Sequence, residues 1–452
     1  MGRGKHEEGR EVLGGDTTPL STPSSTSSTS TPSTSSTHRG PGSGTSRPAG
    51  PRARVRALAP AALVLALALP LGACQSDSGA GGPATSGSSA SASAAPASIT
   101  VAPADASGDV RPDTPVTVTA AGGRLGEVSV TAADGTPLAG ALDAAGTTWT
   151  STAALAPATS YAVHAVAANA QGTPTTADST LTTLTPLGTA FPAVAPLSGS
   201  EVGVGMPVIV TFDSPIAADR RAVVERGLVV TTRPAQVEGS WAWQSDTKVE
   251  FRPRDYWPAH SEVHVDVDLG AVEVAPGVWG TTRDIDFTVG SAMVSTVDIG
   301  AHTLTVTRDG QVLRTIPVTL GQTGNGGKYV TRSGTKVVMS LEESRQMDAE
   351  TTGVSKDDPD YYNVAVRYAV RLTNSGEFMH AAPWSVASQG SANVSHGCTG
   401  MSTEDARWVF EHSKVGDVVT FVGSDRAIEP GNGFNVWNQT YEQWREGSAL
   451  PT

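Results

Sequence analysis

The chain is 452 residues long, more than one ordinary core accommodates, and typical domain sizes point to about three domains. It sets 31 Lys and Arg against 44 Asp and Glu, a net charge of −13, which argues against nucleic acid or anionic lipid headgroups as electrostatic partners. With only two cysteines, Cys74 and Cys398, a disulfide framework is set aside.

Residues 1–56 are of low complexity, and 17–37 are almost wholly Ser, Thr and Pro, too poor in apolar surface to offset the entropy of ordering. Arg52, Arg54 and Arg56 then lead into the apolar run 58–71. That run suits the hydrophobic region of a signal peptide and is short for a membrane span. It ends in Leu71-Gly72-Ala73-Cys74, the pattern at which bacterial lipoprotein precursors are cleaved and lipidated. Residues 1–74 are therefore expected to be a low-complexity extension and lipoprotein signal peptide. Cys74 is the expected lipidation site, anchoring an exported protein to the outer face of the plasma membrane and reaching into the cell wall. The long preamble before the signal suggests translation from near Val55, which peptides recovered from upstream of it would refute. Beyond Cys74 the chain keeps 23 basic and 40 acidic residues, a net of −17. Attachment then falls to acyl chains, at about 0.8 kcal/mol per buried methylene.

Residues 75–97, nearly all Gly, Ser and Ala, read as a flexible tether. Short β-type runs follow, such as 116–119 and 128–131, with Gly, Asp and Pro turns between them. Pro157-Ala158-Thr159-Ser160-Tyr161 recurs as Pro258-Ala259-His260-Ser261-Glu262, 101 residues on, and the run 115–119 recurs as 207–211, 92 residues on. Such spacing fits two immunoglobulin-like β-sandwich modules, 98–187 and 188–290. Tyr161 is positioned to close a tyrosine corner, with Glu262 in the second copy.

A third region, 291–424, is expected to be β-rich and to hold the chemistry. Strands at 303–307 and 311–316 flank Asp309-Gly310, a two-residue hairpin signal. The alternating run 364–372 turns at Asn374-Ser375-Gly376 into a strand ending at His380. A helix at 403–412 has Ser402 as N-cap and Asp405 three residues later, and 416–422 returns to strand. Cys398 is placed in the turn before that helix, near amides that favour negative charge. A thiol at its reference pKa of about 8.5 is only a few per cent thiolate at pH 7, so it needs a base, and His380 is the candidate. Gly397 lets the backbone approach a carbonyl, with the amides of Gly397 and Cys398 as oxyanion donors. His396 and Ser395 take structural or substrate-positioning roles. No fourth ligand accompanies His380, His396 and Cys398, so neither a metal nor another cofactor is expected.

The segment from His380 to Ser395-His396-Gly397-Cys398 resembles the signature of the L,D-transpeptidases, the YkuD-type domain. Within that family it is similar to the mycobacterial type, which carries immunoglobulin-like modules before the catalytic domain and a Trp-rich extension after it. Gly431 to Asn438 and Glu442-Gln443-Trp444 look like that extension, so 425–452 is expected to pack on the catalytic domain. The resemblance implies Cys398 as nucleophile, His380 as base, the Ala381 carbonyl orienting the imidazole, and Tyr362 stabilising the oxyanion. It implies donor and acceptor tetrapeptide stems of peptidoglycan as partners, a thioester on Cys398, 3→3 cross-links, and carbapenems as covalent inhibitors. Water in place of the acceptor amine gives an L,D-carboxypeptidase, and a vestigial site leaves a non-catalytic wall-binding lipoprotein. Thr399 and Gly400 depart from the family's apolar residue and Asn.

Overall fold

The computed structural model describes residues 95–451. Cys74, the signal peptide and 75–94 of the tether lie outside the described residues. Among those described, no helix is long and apolar enough to cross a membrane.

The architecture is mainly β, with two sandwiches followed by a third β-rich region. In the first sandwich one sheet runs in the order Ser98–Ala102, Thr117–Ala121, Thr148–Ser151, Gly140–Leu142, and the other Ser107–Val110, Pro174–Thr183, Ser160–Asn169, Gly123–Ala132. The second repeats this order with Pro192–Ala195, Val208–Phe212, Lys248–Pro253, Gly239–Trp243 facing Glu201–Val202, Arg283–Val289, Glu262–Val267, Leu228–Arg233. The period of two decides which side chains enter each core. In Ser160–Asn169, Tyr161, Val163, Ala165 and Ala167 are buried while their neighbours face out. Large aromatics fill the second core, where Trp257 donates from Nε1 to Met206 O at 2.6 Å.

Tyr161 closes its corner: its hydroxyl accepts the Ala156 amide at 2.7 Å. The sequence repeat, however, is one residue out of step. Ala158 and His260, both left-handed at φ 50° and 62°, donate from equivalent amides to Leu184 O and Gly290 O. They lie 102 residues apart, so the second turn is one residue longer than the 101-residue repeat implies. A one-residue slip reverses faces. Val263 therefore takes the place of Tyr161 in the core, and Glu262 lies outside.

The third region packs a five-stranded sheet, ordered Gln311–Pro317, Thr303–Arg308, Met293–Asp298, Val418–Val422, Gly334–Val337, against a four-stranded one, Ser340–Asp348, Asn363–Arg371, Phe378–Ala381, Thr399–Met401. Leu304, Leu320, Val370, Met379, Met401 and Phe421 fill the space between, each contributing about 1.5–3 kcal/mol if fully buried. The Asp309-Gly310 hairpin has φ of 50° and 78°, both positive as a type I′ turn requires. The helix Thr403–His412 buries Ala406 and Val409, and Ser402 caps it by accepting the Asp405 amide at 3.0 Å.

The C-terminal extension joins the third region to the second sandwich. Its first part stays with the catalytic sheet, where Asn438 bonds both the amide and the carbonyl of Thr335 at 2.7 Å. Its indoles also reach the second sandwich: Trp437 Nε1 donates to Gly205 O at 2.8 Å and Trp444 Nε1 to Ser240 O at 2.9 Å. Those carbonyls need donors, and the Arg252 guanidinium stacks near both rings.

The same seam holds Asp417, which is 2% exposed. Its Oδ2 accepts the Lys414 amide at 2.7 Å, and its Oδ1 has no hydrogen-bond partner. Burial pushes its carboxyl up to about 7, against the opposing pull of the Lys414 amide, the Lys414 and Arg308 charges, and with Glu201 adding to the rise. A raised folded pKa contributes stability that is present below the unfolded value and lost as pH rises through about 7. Asp417→Asn keeps an oxygen for the Lys414 amide and removes the buried charge. It should raise the melting temperature at pH 8 by about 2 °C or more and gain less at pH 5, a contrast that thermal melts at both pH values measure directly.

Candidate functional site

A cleft of about 550 Å³ opens on the four-stranded sheet, and Tyr362, His380, Trp384, Ser395, His396 and Cys398 line it together. Strand register explains how residues eighteen apart come to line one cleft. Phe378–Ala381 and Thr399–Met401 pair in parallel, with His380 opposite Gly400. Parallel partners point to one face, and Cys398 lies two residues before Gly400, so its side chain emerges on the face that carries His380.

His380 is 7% exposed, and its Nδ1 bonds Ala381 O at 2.8 Å. With a carbonyl as partner Nδ1 carries the proton, leaving Nε2 as the lone-pair nitrogen. Burial holds the imidazole below the usual histidine range, opposed by that backbone bond, so the neutral form prevails at neutral pH. Trp384 covers the ring, its centroid 6.2 Å away.

Cys398 is only partly buried as a residue, yet burial of its sulfur pushes the thiol up to about 11. The Phe378 amide and the Lys336 charge pull the other way, while the Glu377 charge adds to the rise. Its S–H is directed to Gly376 O at 3.5 Å. Cys398 therefore rests as a thiol.

The loop before the thiol is shaped by hydroxyls. Ser395 Oγ donates to Cys398 O at 2.6 Å and accepts the Gly397 amide at 3.1 Å, while Thr331 Oγ1 holds Gly397 O at 2.9 Å. Gly397 has φ +127°, a region that favours glycine. The expected pair of oxyanion amides is thus corrected: the Gly397 N–H is engaged by Ser395, and Gly397 serves the turn. The placement of Cys398 at the helix start is corrected too. The strand Thr399–Met401 stands between them, and three extended residues cover roughly 10 Å, beyond the reach of the helix-end amides.

Tyr362 lies across the cleft, its hydroxyl pushed up to about 12 by burial first and the Cys398 charge second, so it remains an O–H donor. His396 is packed between Tyr362 and Tyr329, with ring centroids 4.9 and 4.5 Å away, and burial lowers its pKa. Tyr329 in turn donates to Asp360 Oδ2 at 2.9 Å. The departures from the family pattern have a steric setting. A Cβ at Gly400 would stand 2.9 Å from Ala382 Cβ and 3.0 Å from Thr319 Cγ2, and Thr399 is buried opposite Met379.

Sequence reasoning assigned no role to Thr331, Tyr329, Gly376 or Trp384. Trp384 was detectable as a large apolar residue four positions after His380, and Gly376 as the turn glycine. Thr331 and Tyr329 carry no local signal, since only the fold brings them to the loop.

Comparison with known proteins gives concordant matches. Residues 107–273 match the family model of a bacterial Ig domain, and residues 292–421 that of the L,D-transpeptidase catalytic domain. The chain is 35% identical over 347 residues to L,D-transpeptidase 2 of Mycobacterium tuberculosis, covering 76% of this chain and 83% of that protein. It is 41% identical over 231 residues to L,D-transpeptidase 1 of the same species, covering 51% of this chain and 84% of that protein. Among solved structures, that of the LD transpeptidase LdtMt1 in complex with imipenem is 38% identical, covers 52% of this chain and 100% of its own, and has a TM-score of 0.46.

Proposed function

Because the chain belongs to the L,D-transpeptidase family, we propose that it forms 3→3 cross-links in peptidoglycan through a thioester on Cys398. The observation that carries this reading is the His380 imidazole, with Nδ1 committed to the Ala381 carbonyl and the ring lining the cleft that contains Cys398. In the first half-reaction His380 Nε2 takes the thiol proton. The thiolate attacks the carbonyl of the third-position diamino acid in a donor tetrapeptide stem, and the Tyr362 hydroxyl and the Cys398 amide donate to the oxyanion. The C–N bond to D-Ala breaks, its amine leaves with the proton from His380, and the thioester remains.

In the second half-reaction the side-chain amine of an acceptor stem attacks the thioester. His380 takes the amine proton and returns it to the departing sulfur. A carbapenem acylates Cys398 by the same first step, its ring nitrogen taking the proton, in keeping with the imipenem bound to the relative. Incubating the purified protein with disaccharide tetrapeptide tests the reading by mass spectrometry. Cross-linked dimer with released D-Ala supports it, tripeptide monomer alone makes the protein a carboxypeptidase, and no turnover or adduct leaves a wall-binding lipoprotein.

Attachment to the outer face of the plasma membrane belongs to the same proposal, supported by the Leu71-Gly72-Ala73-Cys74 pattern. Cys74→Ala should move the protein out of the membrane fraction in cell fractionation, and unchanged retention there would refute the anchor.

A further inference from the structure

The edge strand Gly334–Val337 carries a lysine closed off from solvent: Lys336 is 0% exposed. Its Nζ donates to Glu377 Oε2 at 2.6 Å and lies 3.6 Å from the Phe421 ring centroid. Glu377 Oε1 accepts from the Arg332 amide at 3.2 Å and from Arg332 Nη1 at 3.0 Å, and Arg332 Nε reaches Glu429 Oε2 at 2.7 Å. Stability alone does not account for such a chain of charges, because well-packed hydrophobic replacements of a buried ion pair are often neutral or stabilising.

The place of Glu377 in the chain supplies a reason. The residue before it, Gly376, offers the carbonyl that receives the Cys398 S–H. The residue after it, Phe378, turns its amide to the same sulfur and opens the strand that carries His380. Glu377 is also fixed through its own backbone, its amide donating to Thr373 Oγ1 at 2.8 Å and its carbonyl accepting from Leu372 at 3.0 Å. The sulfur is therefore held on both sides by a segment whose middle side chain is clamped by Lys336 and Arg332.

We propose that Lys336, acting through Glu377, is a positioning residue for the Cys398 nucleophile: the buried ion pair fixes the 376–378 backbone around the sulfur and sets the charge that the thiolate meets as it forms. The inference rests on Cys398 being the nucleophile of the function proposed above. The two members act with opposite sign, since the ammonium attracts the developing thiolate and the carboxylate repels it.

Alkylation of Cys398 by iodoacetamide, followed from pH 6 to 11 on the full chain by peptide mass spectrometry, tests this. Iodoacetamide needs no catalytic base, so the profile reads the thiol itself. Lys336→Met should slow alkylation about tenfold throughout that range, its midpoint moving beyond the upper limit. Glu377→Gln should speed it about tenfold and move the midpoint down, and the double variant should fall near the parent. If Lys336→Met fails to fold, Arg332→Met should give a smaller slowing in the same direction. Shifts of the same sign in both single variants, or no shift in any, would overturn the proposal and leave the ion pair a packing feature. The functional reading fails separately: a parent protein forming no acyl adduct on Cys398 with tetrapeptide stems refutes that reading, while the alkylation midpoints still report on the ion pair.

Discussion

Cys398→Ala should abolish both dimer formation and the carbapenem adduct, a loss on the order of 10⁴-fold or more in the rate of D-Ala release. The hydroxyl nearest in the loop is not free to replace the sulfur. Ser395 donates its hydroxyl to Cys398 O and accepts from Gly397, so it is already committed to shaping the loop. The fold should survive, because the sulfur touches only the edge of the small cluster of Met347, Val366, Ala369 and Phe378. Its deletion removes one weak S–H bond and a volume smaller than a methylene pair, a cost of about 1 kcal/mol. Intact-mass spectrometry after exposure to imipenem, alongside a thermal melt, checks both halves. An adduct persisting on the variant would place the nucleophile elsewhere.

His380→Gln should lower the acylation rate at pH 7 by roughly 10²- to 10⁴-fold, the usual worth of a positioned base. The shape of the pH profile distinguishes this from a loss of folding. In the variant the thiol must ionise unaided, so the rate should climb about tenfold per pH unit toward the thiol pKa of about 11. In the parent the proposed base is the neutral imidazole, whose pKa lies below the ordinary range because the ring is buried. Proton binding at lower pH removes that base, so the parent's rate should hold at pH 7 and decline only below about 6.5. Measured by adduct mass from pH 5 to 10, an acidic decline centred above the ordinary histidine value would contradict this assignment. So would a variant that keeps the parent's profile.

Local chemistry written over a few residues was legible in the sequence. Asp309-Gly310, the Ser402 cap and the placing of His380 and Cys398 in one cleft each depend on near neighbours or on a resemblance carried by a short motif. Features set by register were harder to read. The repeat from Pro157 and Pro258 misses by one residue because a turn can lengthen without altering its composition, yet that residue decides whether Glu262 or Val263 faces the core. The residues around Lys336 give no sign of its burial, which follows from its place opposite Val419 in the sheet. The amide of Gly397 was expected to face substrate because glycine permits it. The Ser395 hydroxyl two residues earlier claims it instead, a competition that composition does not reveal.

The hydrogen bond from Cys398 to the Gly376 carbonyl also bears on durability. Peroxides and disulfides react with the thiolate, and a sulfur kept as S–H in buried surroundings offers them little of it. In the mechanism proposed above, the arrangement that makes Cys398 depend on His380 also protects it from oxidation between turnovers. Among the described residues it has no resolving cysteine beside it, and with its thiol kept protonated it has little need of one.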